Sequence, residues 1–161
     1  MPRPFIILAG LAVVALLMGG AFYIQWDAHM ELKGRVMKVR TLNAVDEATI
    51  VVVDCRFENT AGSTYTVGDI KVELEDAKGQ KTEAISIAEM DADRVFAGYP
   101  ALGQRFNPNL KLRDKIAPHS TVDRQISVQI PLRAADVAAR KRLIITVREL
   151  DGQESRLLEA R

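Results

Sequence analysis

Few residues in this chain of 161 have side chains suited to catalysis. It contains two histidines, His29 and His119, and one cysteine, Cys55. A nucleophilic triad needs a serine, threonine or cysteine, a histidine that accepts its proton and a carboxylate that orients the histidine. Cys55 falls on the apolar side of a predicted strand, where a thiol is a small buried hydrophobe. No Gly-x-Ser-x-Gly elbow is present. We therefore predict no catalytic residues and no enzyme; a membrane-tethered hydrolase that depends on His119 is the alternative.

Metal, cofactor and nucleic-acid sites have little support either. Asp27, His29 and Glu31 alternate, and Asp91 and Asp93 form a D-x-D pair, but a polar linker and a helix cap explain them more simply than a metal site. No glycine-rich phosphate loop follows a strand. The 22 Lys+Arg and 21 Asp+Glu give a net charge of +1, which removes the electrostatic argument for a nucleic-acid partner. We expect no metal, no cofactor and no small-molecule substrate, and a single cysteine excludes an internal disulfide.

Apolar residues concentrate near the N terminus. Residues 5–24 are twenty residues without a charged or strongly polar side chain. At about 1.5 Å per residue, a helix of this length spans about 30 Å, the thickness of the hydrocarbon core of a bilayer. Residues 1–26 therefore predict a single transmembrane anchor that is not cleaved. Its predicted membrane-contacting residues are Phe5, Tyr23, Ile24 and Trp26.

Two alternatives concern this segment. A cleaved signal peptide would use Gly19 and Ala21 as its small-residue pair, but the apolar run continues past Ala21 and only Arg3 precedes it. Small residues also share one face of the predicted helix and would let another helix approach closely, although such residues are common in any membrane helix. This predicted packing strip consists of Ala12, Ala15 and Gly19.

The orientation of the anchor is predicted from its flanks. Counted alone, the basic residues on the C-terminal side would place the domain in the cytoplasm. Asp27 and Glu31 precede them, however, and long folded domains translocate largely regardless of charge, so we expect a single-pass protein with an extracytoplasmic domain, periplasmic or extracellular. The same basic residues are predicted either to contact lipid headgroups or to form an ordinary solvated strand face. They are Lys33, Arg35, Lys38 and Arg40.

After a short linker, residues 27–31, the pattern of residues 32–161 has a period of two, which is typical of half-buried strands. In the segment 48–59, Val51 and Val53 are expected to point inward and Val52 and Asp54 outward. Turn residues separate the predicted strands 32–41, 48–59, 69–75, 81–87, 121–130 and 143–150. This arrangement favours an antiparallel two-sheet sandwich.

An insertion, residues 88–119, interrupts the strands. Asp91 is predicted to cap a short helix that ends before Pro100, and a second helix is predicted over residues 132–142 with basic residues 140–142 at its end. The insertion holds apolar side chains outside any clear strand: Phe96, Tyr99, Leu102 and Phe106. They are predicted to form a partner-binding loop or a flap that plugs one end of the sandwich.

Several motifs carry a family resemblance. They are Phe57-Glu58-Asn59, the stretch IKVELED at 70–76, Gly79, Ile116-Ala117-Pro118-His119-Ser120 and Ile130-Pro131. Over about residues 45–150 this order resembles the immunoglobulin-like, telokin-type domains of small bacterial membrane-anchored and secreted proteins, typified by FxLYD domains. His119 stands where such domains usually have glycine. The resemblance implies an immunoglobulin-like fold, and these families mostly have no assigned activity.

Together these patterns predict a mainly β protein, in which a transmembrane helix precedes an immunoglobulin-like antiparallel β-sandwich with one or two short helices. The predicted function is a non-enzymatic, membrane-anchored interaction or assembly module that binds a protein partner in an envelope complex through an exposed strand edge or the insertion. The alternative is an accessory subunit that contacts a larger membrane complex through its transmembrane helix.

Overall fold

The computed structural model describes residues 3–26, 32–44 and 47–159. The chain divides into two compact units, Met1–Met30 and Glu31–Arg161, and each is described by itself. The predicted Asp27, His29 and Glu31 group lies outside the described residues.

The first unit contains one helix, α1 (Arg3–Trp26), of 24 residues. The side chains described in it, residues 7–20, are exposed, and a Cβ added at Gly19 would meet no atom within 4 Å. The side chains of Phe5, Tyr23, Ile24 and Trp26 lie outside the described part. Within the described residues, no helix combines the length and the hydropathy that crossing a membrane requires.

The second unit consists of two antiparallel sheets. Its strands are β1 (Leu32–Asn43), β2 (Thr49–Asn59), β3 (Tyr65–Glu75), β4 (Lys81–Glu83), β5 (Ile85–Ser86), β6 (Lys115–Ile116), β7 (Ser120–Ile130), β8 (Arg142–Glu149) and β9 (Glu154–Leu158). The first sheet has the order β1-β2-β7-β5, and the second has the order β4-β3-β8-β9 with β6 also paired to β3. The predicted mainly β, antiparallel sandwich with few helices is thereby confirmed.

The core lies between the sheets and follows the predicted alternation. Val51, Val53, Cys55 and Phe57 of β2 are fully buried. Burial, with a smaller contribution from neighbouring Asp54, raises the pKa of the Cys55 thiol to about 12. This thiol is a packing group in the core, as its position in the strand predicts.

The other face of the first sheet, called here the outer face, is half covered by the insertion. The insertion contains α2 (Glu89–Gly98) and a short 3-10 helix (Pro100–Leu102). Leu102 packs with Ile50 and Val52, and these positions of β2 are buried as deeply as the inner face. Val52 therefore points away from the core between the sheets, as predicted. It is nevertheless buried, because the insertion packs on the outer face as a third layer.

Two segments cross from one sheet to the other on the side of β5. In the first, Ala84 N donates to Val72 O of β3 and Ile87 N donates to Ser127 O of β7, both at 2.9 Å. In the second, Leu110 N donates to Gln125 O of β7 at 2.7 Å. Three residues later Arg113 N donates to Val67 O of β3 at 2.7 Å. The crossing segments, residues 84–87 and 110–113, close this side of the sandwich at both ends and leave an opening between them.

The opposite side is closed by β1 against β9. The backbone N–H of Leu32 donates to Ser155 Oγ at 2.9 Å, and Leu32 is buried. At Gly34 an added Cβ would lie 2.5 Å from Leu157 Cδ2, so only glycine permits this approach. The register of β1 on β2 shifts between Val36 and Lys38, which makes Met37 a β-bulge.

Several predicted elements differ from the observed ones. The second predicted helix is only α3 (Ala134–Ala138), because the basic residues 140–142 pair with carboxylates on neighbouring segments and Arg142 begins β8. Helix α2 begins after Ala88, whose side chain makes no capping bond, so Asp91 lies in its first turn and is not its cap. Strand β3 begins at Tyr65, four residues before its predicted start, and β9 has no counterpart among the predicted strands.

Candidate functional site

The opening between the two crossing segments is a cleft of about 390 Å³, called here the lateral cleft. Ile126 and Ser127 of β7 line it together with Ile70 of β3. The first crossing segment and the start of α2 form one wall, and residues 109–112 form the other. The cleft is therefore a side entrance to the sandwich core with an apolar lining.

A buried polar network fixes one end of the lateral cleft. Asn109 Nδ2 donates to Ile87 O at 3.3 Å, and Asn109 Oδ1 accepts from Gln125 Nε2 at 2.8 Å and from Ser127 Oγ at 3.0 Å. Asn109, Gln125 and Ser127 are all buried. A buried amide that is hydrogen-bonded in this way rigidifies its surroundings, so the two walls are held at a set spacing.

Glu89 strengthens the same end of the cleft. Its Oε2 accepts from the backbone N–H of Asn109 at 2.9 Å, and its Oε1 lies 2.5 Å from Arg105 Nη2. Burial of the Glu89 carboxyl favours its neutral form, but the bonds from Arg105 and from the Asn109 backbone outweigh this effect and hold its pKa below the usual range. The carboxylate therefore stays ionised as part of the wall.

The edge of β3 is open at the cleft. In the described part of the chain, β6 and Arg113 pair with residues 65–67 on this edge, and β4 and Ala84 pair with residues 72–75, while the stretch between has no strand on that side. Leu112, which lines the cleft, is exposed, and Ile85 is exposed in the neighbouring first crossing segment. An open strand edge beside exposed apolar side chains is typical of a protein-binding surface.

A second, broader depression of about 530 Å³ lies on the other side of Ile87 and Ala88. Ile50 and Ile85 line it with Val95 and Tyr99 of the insertion. The first crossing segment therefore separates two apolar hollows on the β5 side of the sandwich.

The predicted insertion residues divide into two groups. Phe96 and Tyr99 are partly buried and pack, with Leu102, against Ile50 and Val52. Phe106 is exposed. The first three thus cover the outer face as a flap, and Phe106 is the member that is open to a partner.

Arg40 differs from the other basic residues of β1. Its side chain is only 10% exposed, and its Nη2 lies 3.1 Å from Asp54 Oδ2. Its Nη1 donates to Leu102 O and to Gln104 O, both at 2.9 Å, and its guanidinium lies 5.2 Å from the ring centroid of Phe96. Arg40 therefore holds the insertion on the sheet, whereas Lys33, Arg35 and Lys38 are exposed.

The residues considered for chemistry are kept apart. His119 is exposed in a turn with φ 49°, a left-handed conformation that glycine adopts more readily than other residues, and Cys55 is buried in the core. Asp91 pairs with Arg94, and Asp93 pairs with Arg105. In the parts of the chain that the structure describes, no three His, Cys, Asp or Glu side chains are grouped to hold a metal ion.

The sequence contained only a weak signal for the lateral cleft. Gln125 and Ser127 alternate outward along a predicted strand, which is also what a solvated strand face looks like. Their partner Asn109 lies in the insertion, outside every predicted strand. Only the fold brings the three side chains together.

No protein-family model matches the chain, and no curated protein matches it. Among solved structures, the chain is similar to the X-ray structure of a Northeast Structural Genomics Consortium target, SoR45, with a TM-score of 0.39 and 10% identity over 83% of this chain and 84% of that one. It is also similar to an uncharacterised β-sandwich protein from Clostridium difficile 630, with a TM-score of 0.37 and 14% identity over 81% of each chain. At these TM-scores neither likeness carries an argument about function, and the resemblance to telokin-type and FxLYD domains stays a prediction.

Proposed function

We propose that this chain is a non-enzymatic interaction module of the cell envelope, held at a membrane by its N-terminal segment and binding a protein partner at the lateral cleft. The observation that supports the binding site is the open edge of β3 beside an apolar cleft and exposed Leu112. Most soluble monomers avoid this combination, because an open edge invites pairing with another strand.

The chemistry of the cleft suits an extended segment of the partner. Such a segment would add its backbone to β3 between the two crossing segments and place alternate side chains over Ile70 and Leu110. The partner's backbone would supply hydrogen bonds to the open edge, and the apolar lining would select its side chains. Asn109 already fixes the spacing of the cleft walls, so the free-energy cost of ordering the cleft when the partner binds would be small.

Membrane attachment is supported by the sequence of residues 5–24, which has no charged side chain over twenty positions. Attachment would raise the local concentration of the sandwich near membrane-bound partners. We propose an extracytoplasmic location for the sandwich, and protease treatment of intact spheroplasts tests it: digestion of the domain supports this location, and protection contradicts it.

Site-specific photo-crosslinking in the full-length protein tests the binding site. Leu112 and Leu150 are leucines of similar exposure, 61% and 67%, and Leu150 follows β8, away from the cleft. A photoreactive residue at Leu112 is expected to capture a protein that one at Leu150 does not. Equal capture at both positions, or capture at neither, contradicts the proposed site.

The accessory-subunit alternative rests on the predicted packing strip of α1, whose small side chains would let another helix approach closely. Crosslinkers at Ala12 and Ala15 separate the two ideas. Capture only from the helix positions would favour the alternative over cleft binding.

The hydrolase alternative depends on His119. Any hydrolytic activity of the purified chain that the substitution His119→Ala abolishes would contradict the non-enzymatic proposal.

A further inference from the structure

Three exposed basic residues of β1 share the uncovered half of the outer face. Lys33 and Arg35 lie on this face before the bulge. Lys38 lies on it after the bulge, because the extra residue Met37 moves this face from the odd-numbered to the even-numbered residues. In the described residues none of the three side chains forms an ion pair. Their charges are therefore available to a partner.

The acidic groups nearby offset these charges only in part. Asp123 is engaged by Arg56 through two hydrogen bonds of 2.7 Å. Glu58 stands opposite Lys33 in the strand register and is exposed. With the Arg40–Asp54 pair included, since Asp54 stands opposite Lys38, this part of the outer face carries five basic and three acidic side chains, and its charge is positive.

A shallow depression of about 450 Å³ lies among these residues. It is lined by Lys33, Arg35 and Arg56, together with Gly34, Thr121 and the carboxylate of Glu58. Arginine and lysine donors at this hollow suit a phosphate group, because three basic side chains outnumber the one carboxylate among the lining residues.

The length of the chain keeps this surface near the end of α1. Only residues 27–31 separate Trp26 from Leu32, and six residue steps reach at most about 20 Å. If α1 is held in a bilayer, Lys33 and Arg35 are therefore always close to its headgroups, whatever the relative orientation of the two units.

We propose that this basic face, formed by Lys33, Arg35 and Lys38 around the depression, binds the anionic phospholipid headgroups of the bilayer that anchors the chain. The inference rests on the proposed membrane attachment and extends it by giving the tethered sandwich one orientation. Strand β5 is at the edge of the first sheet opposite β1, so the lateral cleft would lie on the side of the sandwich that is far from the basic face.

The test uses the full-length protein in lipid nanodiscs of phosphatidylcholine, with or without phosphatidylglycerol. A nitroxide attached through the substitution Thr121→Cys reports contact with the bilayer, since Thr121 is exposed at the depression and buried Cys55 does not react. We expect the nitroxide to lose accessibility to a water-soluble relaxation agent only in the anionic discs, and high salt to restore it. The same label at Gln153, exposed beyond β8, serves as the control position.

Charge neutralisation gives the second arm. We expect the ratio of lipid-bound to unbound sandwich to fall about fivefold for each single substitution, Lys33→Gln, Arg35→Gln or Lys38→Gln. The three substitutions together should lower this ratio about a hundredfold. The matched control neutralises three exposed lysines elsewhere, Lys78→Gln, Lys81→Gln and Lys115→Gln, and should leave the ratio unchanged. Equal accessibility in both lipids, or an unchanged ratio in the triple variant, overturns the proposal.

Two further measurements keep the result interpretable. If the neutralised variant does not fold, Lys33→Arg with Lys38→Arg must retain binding to anionic discs, and loss of binding in that folded variant contradicts a charge-based contact. Extraction of membranes with alkaline carbonate tests the anchor separately. A chain that washes off contradicts the anchor, and flotation with vesicles of the same two compositions then decides whether the basic face binds anionic lipid.

Discussion

At the scale of single residues, the basic stretch 140–142 shows how three consecutive charges are used for folding. Arg140 forms two hydrogen bonds with Glu159, at 2.9 and 2.6 Å, and both side chains are under 10% exposed. Lys141 and Arg142 donate to the two oxygens of Glu75, at 2.6 and 2.7 Å. These pairs join the start of β8 to β3 and to the chain after β9, so the stretch cannot remain helical.

The pair of Arg140 and Glu159 predicts a large effect of losing one partner. The substitution Glu159→Gln replaces the carboxylate of this buried, doubly hydrogen-bonded pair with a neutral amide and should lower the free energy of unfolding by about 3 kcal/mol. Glu154→Gln is the control, because Arg148 and Glu154 are 49% and 37% exposed, and should cost under about 1 kcal/mol. Urea unfolding measures both, and equal losses would contradict the importance of burial.

Glu75 predicts a pH-dependent effect. The hydrogen bonds from Lys141 and Arg142 lower its pKa to about 2 in the folded chain. A carboxyl whose pKa is depressed by folding stabilises the fold above its unfolded pKa, near 4.5, and this contribution disappears as the pH falls toward 2. The stability difference between the wild type and Glu75→Gln should therefore shrink between about pH 5 and pH 2 in urea titrations. A difference that stays constant over this range would contradict the assignment.

At the scale of elements, the strands of the sandwich were largely predictable and the insertion was not. The alternation of Val51 and Val53 with Val52 and Asp54 correctly located β2 and its two faces. The alternation could not indicate that α2 would cover the second face, because that contact joins residues about fifty positions apart. The cleft likewise depends on segments that the sequence shows only as a loop, since Asn109 gains its partners through tertiary contacts.

The substitution Asn109→Ala tests how firmly the insertion is held. It removes the acceptor of Gln125 and Ser127 and the donor to Ile87, which leaves buried polar groups unpaired. We expect a loss of about 2–3 kcal/mol in the free energy of unfolding and faster amide exchange in α2. Asn107→Ala, in the same loop but less buried, should change the stability by no more than about 0.5 kcal/mol. Similar losses for both variants would show that the network does not hold the cleft.

At the scale of the whole molecule, the sheet order separates two surfaces. Strand β1, with its exposed basic residues, forms one edge of the first sheet, and β5, beside the lateral cleft, forms the other. A tethered domain that binds lipid and protein needs such a separation, since one surface would otherwise block the other.

Truncation tests whether the sandwich folds without α1. A chain that begins at residue 31 retains buried Leu32 and its hydrogen bond to Ser155, and should unfold at the same urea midpoint as the full-length protein. A chain that begins at residue 36 loses these contacts and the packing of Gly34 on Leu157, and should be less stable by about 2–4 kcal/mol. If the chain that begins at residue 31 had a lower midpoint than the full-length protein, residues before 31 would stabilise the sandwich.

The bulge at Met37 has a consequence for how sequence changes act on β1. Side chains of a strand alternate between its two faces, so odd-numbered and even-numbered residues lie on opposite faces. One extra residue exchanges the faces of the odd-numbered and even-numbered residues that follow it. Deletion of Met37 would join Val36 directly to Lys38, which already face the consecutive residues Cys55 and Asp54 of β2, so the side chains of β1 would keep their faces. A deletion between other residues of β1 would instead turn the side chains on one side of it to the opposite face, so the length of this strand is free to change only at its bulge.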